Sequence, residues 1–300
     1  MKKLLSLFLL ALLSTALFAQ GGSEALGFTL LDRNPRTTAL AGAGAASLSQ
    51  SSYSAFSAAA TLPFQPGMWS AGVNFQSWAP SNPADKQTNV ALGATFHKGG
   101  FGVALGGAIQ SAVPDGDFTP VDAMGSLGLS YGVLDAVSFG ANLRYAMQSL
   151  APEAKLRGFS ADISILGKPA KGLSLLVSVA QLGPKVKGSG PDAYPQPTHE
   201  LFALAYAFTL AQDHTLELVA DQRYFFASKG LSVGAGLEYA FRQLAFARVG
   251  YRYSNATAAL PTHLSLGLGL RIKGFALDVH YLTASAYLAN TWGLGLSYSM

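Results

Sequence analysis

From about residue 68 to its last residue, the chain alternates between large apolar positions and small or polar ones. In VSFGANLRYAMQ (137–148), Val, Phe, Ala, Leu, Tyr and Met occupy every second position. HLSLGLGLRIKG (263–274) repeats the pattern with Leu and Ile against Ser, Gly and Arg. A period of two is typical of a β-strand with one apolar face. Fourteen such runs predict an all-β fold, with strands near 68–78, 88–97, 100–110, 122–131, 136–148, 157–167, 172–182, 199–210, 214–226, 230–240, 243–253, 263–273, 274–283 and 291–300.

The connections between these runs alternate in length. Long connections such as APSNPADKQ (79–87) alternate with tight ones such as KGG (98–100), and only ASKG (227–230) is short where a long one is expected. Outer-membrane barrels have short periplasmic turns, longer outer loops and an even number of strands. The alternation therefore predicts a transmembrane antiparallel β-barrel of about 14 strands, with long loops at 149–158 and 183–198.

Charged residues inside the predicted strands fall on the small, polar face. In a bilayer the apolar face contacts lipid, so these charges line the lumen; a basic residue turned to lipid would cost roughly 2–4 kcal/mol at the midplane. Glu238 belongs to this set. The inward charges could bind a solute or a plug, and mutual charge compensation in a narrow barrel is the alternative. The candidate lumen and hatch residues are Arg36, Arg144, Asp162, Asp221, Arg271 and Asp278.

The first 19 residues have the pattern of a secretory signal peptide. Lys2 and Lys3 precede an apolar stretch from Leu4 to Leu17, and a small-residue cleavage site follows. Beyond it, no run approaches the ~18–20 apolar residues of a membrane helix. Yet charged residues are only 12% of the chain, against roughly 25% in ordinary globular proteins. A closed barrel is the other structure that satisfies its backbone in lipid, which predicts the bacterial outer membrane.

Composition also argues against several kinds of chemistry. With no Cys, the chain has neither thiolate catalysis nor a Cys-ligated metal site. Without the signal peptide, the chain has 18 Lys and Arg and 16 Asp and Glu. This nearly balanced charge gives no electrostatic reason to expect nucleic-acid binding. GAG (42–44) lacks the preceding strand of a dinucleotide-binding loop, and His199-Glu200 has no second His four residues on. We therefore expect no enzyme activity, no cofactor and no metal.

The stretch RTTALAGAGAASLSQSSYSAFSAAATLPF (36–64) precedes the first strand. It has one charged residue, Arg36, and consists mostly of Ala, Ser, Thr and Gly. Small residues let a backbone pack closely against a lumen lined by Gly and Ser, and Arg36 can meet an inward acid such as Asp162. We expect this segment to be a hatch in the lumen. The predicted organisation is then a signal peptide at 1–19, the hatch segment at 20–66 and the barrel at 67–300.

The stretch GFSADISILGKPAKGLSLLVSVAQLGP (158–184) resembles the signature of the PorV/PorQ family of outer-membrane barrels, relatives of the FadL long-chain fatty-acid channel. In that family a strand with an inward Asp, a tight basic turn and an Asn-Leu-Gly strand end follow one another. Asp162 matches the Asp, and QLG (181–183) stands where Asn-Leu-Gly is usual. VADQRYF (219–225) and SLGLGLRIKGFALDVHYL (265–282) also resemble C-terminal strands of the family.

The segment before the barrel is similar to the start of that family as well. The family begins with an Arg and a small-residue run, matched by Arg36 and TALAGAGAAS (38–47). It continues with Asn-Pro-Ala-Gly-Leu, where this chain has Ala-Ala-Ala-Thr-Leu at 58–62. In the family this segment folds into the lumen as a hatch, and the missing Asn-Pro marks where the chain departs from its relatives.

The resemblance implies two functions. One is an interaction or scaffold component of type IX secretion or surface attachment, with secretion-system or surface proteins as partners. The alternative is a FadL-like channel for hydrophobic small molecules, with a hydrophobic solute as its ligand. Outer-membrane lipid surrounds the protein in both. A plain porin is disfavoured because the predicted inner face is small, sparsely charged and occupied by the hatch.

Overall fold

The structure is a computed structural model that describes residues 24–78, 86–114, 117–152, 154–188, 192–285 and 288–300. The predicted signal peptide lies outside the described residues. Within the described part of the chain, fourteen antiparallel strands close into a barrel, in which each strand pairs with its neighbours along the chain. The first strand closes the barrel against the last, with Ser70 opposite Ser299. The predicted antiparallel barrel of about 14 strands is confirmed.

The barrel strands coincide with the runs of period two, and a small hairpin lies in the connection between the seventh and eighth of them. The strands are β1 (Trp69–Trp78), β2 (Gln87–Lys98), β3 (Phe101–Ala112), β4 (Val121–Leu134), β5 (Val137–Ala151), β6 (Ala154–Ala170), β7 (Leu173–Leu182), the hairpin strands β8 (Val186–Lys187) and β9 (Ala193–Tyr194), β10 (His199–Ala211), β11 (His214–Phe225), β12 (Gly230–Phe241), β13 (Ala245–Ser254), β14 (His263–Ile272), β15 (Phe275–Thr283) and β16 (Thr291–Ser299).

The two faces of the wall differ as the alternation predicts. Large apolar side chains such as Leu105, Phe159 and Leu268 are exposed on the outside. The residues between them are small or polar and buried inside, as Ser138 and Ser265 are. Such an apolar outer face suits contact with lipid chains, because apolar side chains need no hydrogen-bond partner.

The two ends of the barrel differ in the length of their connections. At the tight-turn end, the turns after β2, β4, β6, β10, β12 and β14 contain two or three residues. At the loop end, the connection 183–198 carries the β8–β9 hairpin, and the connections after β13 and β15 span 255–262 and 284–290. In outer-membrane barrels the short turns face the periplasm and the longer loops face outward.

One predicted long loop is wrong. Residues 149–158 are mostly strand, because β5 continues to Ala151 and β6 begins at Ala154, with Ser149 paired to Lys155. The alternation also continues, since Leu156 is buried while Lys155 and Arg157 are exposed on the outer face. Outward charges are unfavourable in lipid, so this hairpin extends beyond the apolar belt into water.

The N-terminal segment, defined here as residues 24–66, lies inside the barrel. It contains one turn of α-helix, α1 (Pro35–Thr38), and short 3₁₀ turns at Gly27–Leu30, Gly44–Ala46 and Ala59–Phe64. Leu40 and Ala46 are buried in one cluster with Leu176 and Val219 of the wall. Inward side chains also bond its backbone, as where the Ser174 hydroxyl donates to the carbonyl of Ala46 at 2.6 Å.

Glycine on the inner wall allows this close approach. A Cβ at Gly140 of β5 would overlap the backbone of Ala60, and a Cβ at Gly250 of β13 would overlap the backbone of Leu40. Outward glycines differ, since a Cβ at Gly107 would meet nothing within 4 Å. The small residues that the sequence concentrates on one strand face therefore make room for the N-terminal segment.

Candidate functional site

The helical turn α1 of the N-terminal segment directs Arg36 toward the wall. Pro35 stands at the first position of α1, where its fixed φ suits a helix start. The side chain of Asn34 caps the turn by accepting from the backbone N–H of Arg36 at 3.0 Å. A Cβ at Gly295 of β16 would overlap Pro35, so this glycine lets the turn lie flat against the wall. The sequence Asn-Pro-Arg thus fixes where the only charged residue of 36–64 points.

Arg36 joins two strands of the wall through buried carboxylates. Its Nε donates to Glu238 Oε2 at 2.8 Å and its Nη2 to Glu238 Oε1 at 3.0 Å, and Nη2 also contacts Glu217. Although burial lowers it, the two carboxylates raise the pKa of Arg36 above its usual range. The predicted inward acidic partner exists, but Asp162 as that partner is wrong, because Asp162 lies on β6 and is already bound to Arg144.

Arg248 extends this arrangement along β13. Its Nε donates to Glu238 Oε2 at 2.5 Å and its Nη1 to Asp278 Oδ1 at 2.5 Å. We call Arg36, Glu217, Glu238, Arg248 and Asp278 the central charge cluster. It contains three carboxylates and two guanidinium groups, all buried, and charge-assisted hydrogen bonds of this kind are about twice as strong as neutral ones.

A second group of charges holds the next part of the N-terminal segment. Asp221 of β11 accepts from Arg252 at 2.7 Å and from Arg223 at 3.0 Å. The same two arginines donate to the segment, Arg252 to the carbonyl of Ala41 at 2.7 Å and Arg223 to that of Gly42 at 2.8 Å. Both carbonyls belong to residues with positive φ. The arginines thus stabilise a tight bend of the segment.

The third group of charges is a single ion pair that joins Arg144 of β5 to Asp162 of β6 at 2.8 Å. Asp162 also accepts from the backbone N–H of Gln181 at 2.8 Å, which fixes the end of β7. The pair is buried on both sides. Asp162, singled out by the family resemblance, therefore has a local role in joining β5, β6 and β7.

The six candidate residues fall into different surroundings. Arg36 and Asp278 belong to the central charge cluster, Asp221 to the second group, and Arg144 and Asp162 pair with each other. Arg271 stands apart, because its guanidinium lies 4.5 Å from the centre of the Phe246 ring and it forms no ion pair among the described residues. Each of the first five residues has an ion-pair partner, which fits mutual charge compensation, one of the two predicted alternatives.

Sequence reasoning missed four charged residues that complete these groups. The missing residues are Glu217, Arg223, Arg248 and Arg252, all of which face inward. The period of two was the signal that could have found them. Arg248 and Arg252 share the parity of Gly250 in AFARVGYRY, and Glu217 shares that of Asp221.

Four cavities follow one another along the N-terminal segment. At the loop end, a cavity of about 810 Å³ lies between Leu31, Trp78, Leu260 and Leu288. Those four residues also line a cavity of about 40 Å³, which reaches Gly42 and Arg223. Trp78 is buried against Leu282 and Leu288, because β1 ends under the loops.

The remaining two cavities lead to the tight-turn end. A cavity of about 90 Å³ shares Gly42 and Arg223 with the preceding one. It also shares Arg36 and Gln50 with a cavity of about 450 Å³ that opens among the turns. Each cavity thus borders the next, and the N-terminal segment lines all four. The two small cavities occupy the middle, where the segment packs against the wall.

Comparison with known proteins gives fold relatives only. No protein-family model and no curated protein sequence matches the chain. The structure is similar to the toluene transporter TbuX of Ralstonia pickettii, with a TM-score of 0.62 and 11% identity over 91% of this chain and 100% of TbuX. It is also similar to the toluene transporter TodX of Pseudomonas putida, with a TM-score of 0.61 and 12% identity over 95% and 99%.

A FadL homologue of Pseudomonas aeruginosa has the same architecture, with a TM-score of 0.58 and 11% identity over 90% of this chain and 99% of that one. Among the described residues, no helix is long and apolar enough to cross a membrane. The closed barrel, its apolar outer face and these likenesses define an outer-membrane β-barrel protein with a FadL-like fold. The chain resides in the bacterial outer membrane, as the sequence predicted.

Proposed function

We propose that this protein is an outer-membrane channel for hydrophobic small molecules and that its N-terminal segment is the hatch. The observation that carries the proposal is the series of four adjoining cavities, which runs from the loop end to the tight-turn end along that segment. The similar structures named as toluene transporters support the same function. They favour it over the scaffold role.

The chemistry of the outer cavity suits an apolar solute. Leu31, Trp78, Leu260 and Leu288 line it together with uncharged polar residues such as Gln87 and Asn255. Its volume of about 810 Å³ falls within the range of roughly 300–1,000 Å³ typical of small-molecule sites. The charged groups begin only below it, at Asp32, Arg223 and Arg252, where the two arginines are bound to Asp221 and to the segment's carbonyls. A neutral hydrocarbon therefore meets no charged side chain among the described residues of the outer cavity.

Passage requires the N-terminal segment to move. The two middle cavities measure about 40 and 90 Å³, whereas a cavity of roughly 150 Å³ is known to hold benzene. An aromatic ring therefore does not fit between the segment and the wall in this arrangement. Gly42 lines both middle cavities, and Leu40, two residues before it, packs against Gly236 and Gly250 of the wall.

Removing the hatch tests the proposal most directly. Deletion of 36–62 is expected to increase uptake of a hydrophobic dye into liposomes carrying the purified barrel, because it removes the material between the two large cavities. Unchanged dye uptake by a deletion variant that still folds into a barrel would contradict the proposal.

A cross-link tests the same motion without deleting residues. The chain has no Cys, and a Cβ at Gly236 would lie 2.9 Å from the Leu40 Cβ. The two positions therefore face each other, and a small outward shift of the segment brings them to the roughly 3.5–4.5 Å Cβ separation of a disulfide. The double variant Leu40→Cys/Gly236→Cys is expected to lose uptake when oxidised and to regain it on reduction. Each single variant is the control, and uptake that continues through the oxidised double variant contradicts a moving hatch.

The scaffold role in type IX secretion or surface attachment has a separate test. The connection 183–198 extends the loop end with the β8–β9 hairpin, where Lys187 and Tyr194 are exposed. If this loop holds partner proteins, trimming it abolishes their co-purification from outer membranes and leaves uptake unchanged. Loss of uptake with no co-purifying protein favours the channel.

A further inference from the structure

Three lysines at the tight-turn end have no ionic partner in the described part of the chain. Lys98 ends β2, and Lys171 and Lys273 lie in the turns after β6 and β14. All three are exposed, and none of them forms an ion pair there. The structure describes all six tight turns, whose acidic side chains are Asp135 and Asp213, and Asp213 is already paired to an arginine. The tight-turn end therefore carries an excess of positive charge.

Two of these lysines directly border the apolar outer face of the barrel. Lys98 follows the outward Phe96 by two positions and is paired in register with Phe101, and both aromatic residues are exposed. Lys273 is separated by a single glycine from Phe275, which is exposed as well. The apolar surface that contacts lipid therefore continues up to both lysines.

Lys171 has a similar position in its own turn. The next residue, Gly172, lies beside the exposed Tyr206, since a Cβ at this glycine would lie 3.6 Å from the Tyr206 ring. Lys168, three residues earlier, does not belong to the group, because its ammonium lies over the ring of Phe64 in the N-terminal segment, 4.0 Å from the ring centre. Lys171 is thus the outer cation of this turn and Lys168 the inner one.

The apolar belt sets the depth of the three lysines in the membrane. Aromatic residues mark both boundaries of the belt in outer-membrane barrels, and a lysine beside them places its ammonium among the lipid headgroups. The turns contain only two or three residues, so they do not project far beyond this layer, unlike the β5–β6 hairpin at the loop end. Because short turns face the periplasm, these headgroups belong to the inner leaflet.

We propose that the tight-turn end binds anionic phospholipids of the inner leaflet, with Lys98, Lys171 and Lys273 each contacting a lipid phosphate. A lysine ammonium has three donors and no acceptor, and it binds phosphate as a point charge. A zwitterionic lipid balances its own phosphate, so the excess positive charge of the turns favours lipids with a net negative charge. The depth of the lysines favours lipid over an acidic periplasmic protein. The proposal does not depend on the passage of hydrocarbons.

Trp69 is a built-in reporter of the lipid next to Lys98. It begins β1 at the tight-turn end, paired in register with Phe96, and Trp78→Phe/Trp292→Phe leaves it as the single tryptophan. The probes are phosphatidylglycerol and phosphatidylcholine with brominated acyl chains, which quench a neighbouring tryptophan in vesicles. At low salt, phosphatidylglycerol is expected to bind beside Trp69 about fivefold more tightly than phosphatidylcholine, since one lysine near an anionic lipid contributes roughly this factor. High salt is expected to reduce the preference by screening.

Substitution of the lysine makes the result decisive. Lys98→Gln is expected to abolish the preference at Trp69, whereas Lys98→Arg, which keeps the charge, is expected to retain it. Lys155→Gln is the matched control, because it removes an exposed lysine at the loop end, and it is expected to leave the preference unchanged. Equal affinity for the two lipids in the unchanged barrel, the result expected if the lysines serve an acidic periplasmic protein, would overturn the proposal. A preference that survives in Lys98→Gln would overturn it as well.

The other two lysines are tested in the same way with a tryptophan placed beside each of them. In a background without the three native tryptophans, Phe275→Trp reports on Lys273 and Tyr206→Trp reports on Lys171. The variants Lys273→Gln and Lys171→Gln are each expected to abolish the preference at the nearby reporter, and equal quenching by the two lipids before substitution would contradict the role of that lysine. Heat-dependent gel migration verifies that each variant is folded, independently of lipid binding.

Discussion

The barrel holds its N-terminal segment in two ways on two sides. On the charged side, β11–β15, Arg36 enters a cluster with Glu217 and Glu238, and arginines of the wall bind the segment's carbonyls. On the small side, β2–β5, most contacts are steric and neutral, and Arg144 of β5 adds one charged donor to the carbonyl of Phe56 at 3.4 Å. Asn142 there donates to the carbonyls of Ser54 and Ala55, both at 3.0 Å.

The two sides differ in the kind of substitution that each of them tolerates. A buried ion pair is costly to break because the remaining charge stays out of water. A steric contact is costly to crowd but leaves no charge behind. Both sides carry inward glycines, such as Gly140 and Gly250. The charged side therefore fixes the position of the segment, and the small side fixes how closely its backbone fits.

The largest effect is expected from Arg36→Met. Removing the guanidinium leaves Glu217 and Glu238 buried with one fewer cation, and breaking such a pair costs about 3–5 kcal/mol. Urea unfolding of the barrel in detergent is expected to show a loss of unfolding free energy of this size, with earlier proteolysis of the segment.

The matched control is Arg242→Met, which removes an exposed ion pair with Asp213. Such surface pairs contribute about 0–1 kcal/mol. If Arg36→Met lowers the free energy of unfolding no more than Arg242→Met does, the ion pairs of the charged side do not hold the segment in place. The double variant Arg36→Met/Glu238→Gln is expected to recover part of the loss, because it neutralises one of the acids left behind.

A smaller effect is expected on the small side from Gly140→Ala. The added methyl group overlaps the backbone of Ala60, and overpacking of this kind costs about 1–3 kcal/mol. Gly107→Ala is the control on the outer face, where a Cβ meets nothing within 4 Å. Urea unfolding of the two variants compares them directly, and equal stability would mean that the segment does not press against β5.

The sequence predicted the barrel well because its signal is repeated along every strand. A period of two and alternating connection lengths follow from lipid on one face and water at two ends. The loop predicted at 149–158 is wrong because Pro152 and nearby charges are typical of loops, although strand pairing continues above the lipid. Which charges meet could not be read in the same way. Arg36 lies far from Glu217 and Glu238 in sequence, and only closure of the barrel decides which strand faces α1.

The partner of a charged residue was also harder to predict than the face of the strand on which it lies. Arg271 and Asp278 have the same inward parity in their strands, yet Asp278 has a partner and Arg271 has none. The difference depends on Arg248 of β13, which lies one strand from Arg271 and two from Asp278 but binds Asp278, and on how far each residue lies from the tight turn. Periodicity gives the face of a residue, whereas its partner depends on the register between strands.

The smallest effect is expected from Ser265→Ala, which tests neutral contacts within the charged side. The Ser265 hydroxyl donates to the carbonyl of Ala39 at 2.9 Å and accepts from the N–H of Ala41 at 2.8 Å. Its loss is expected to cost about 1–2 kcal/mol in urea unfolding, since a typical hydrogen bond contributes about 1 kcal/mol. Ser297→Ala, at an inward serine of β16 with no hydrogen bond to the segment among those described, is the control. A loss as large as that of Arg36→Met would contradict the division between the two sides, because a neutral contact would then hold the segment as firmly as the ion pairs do.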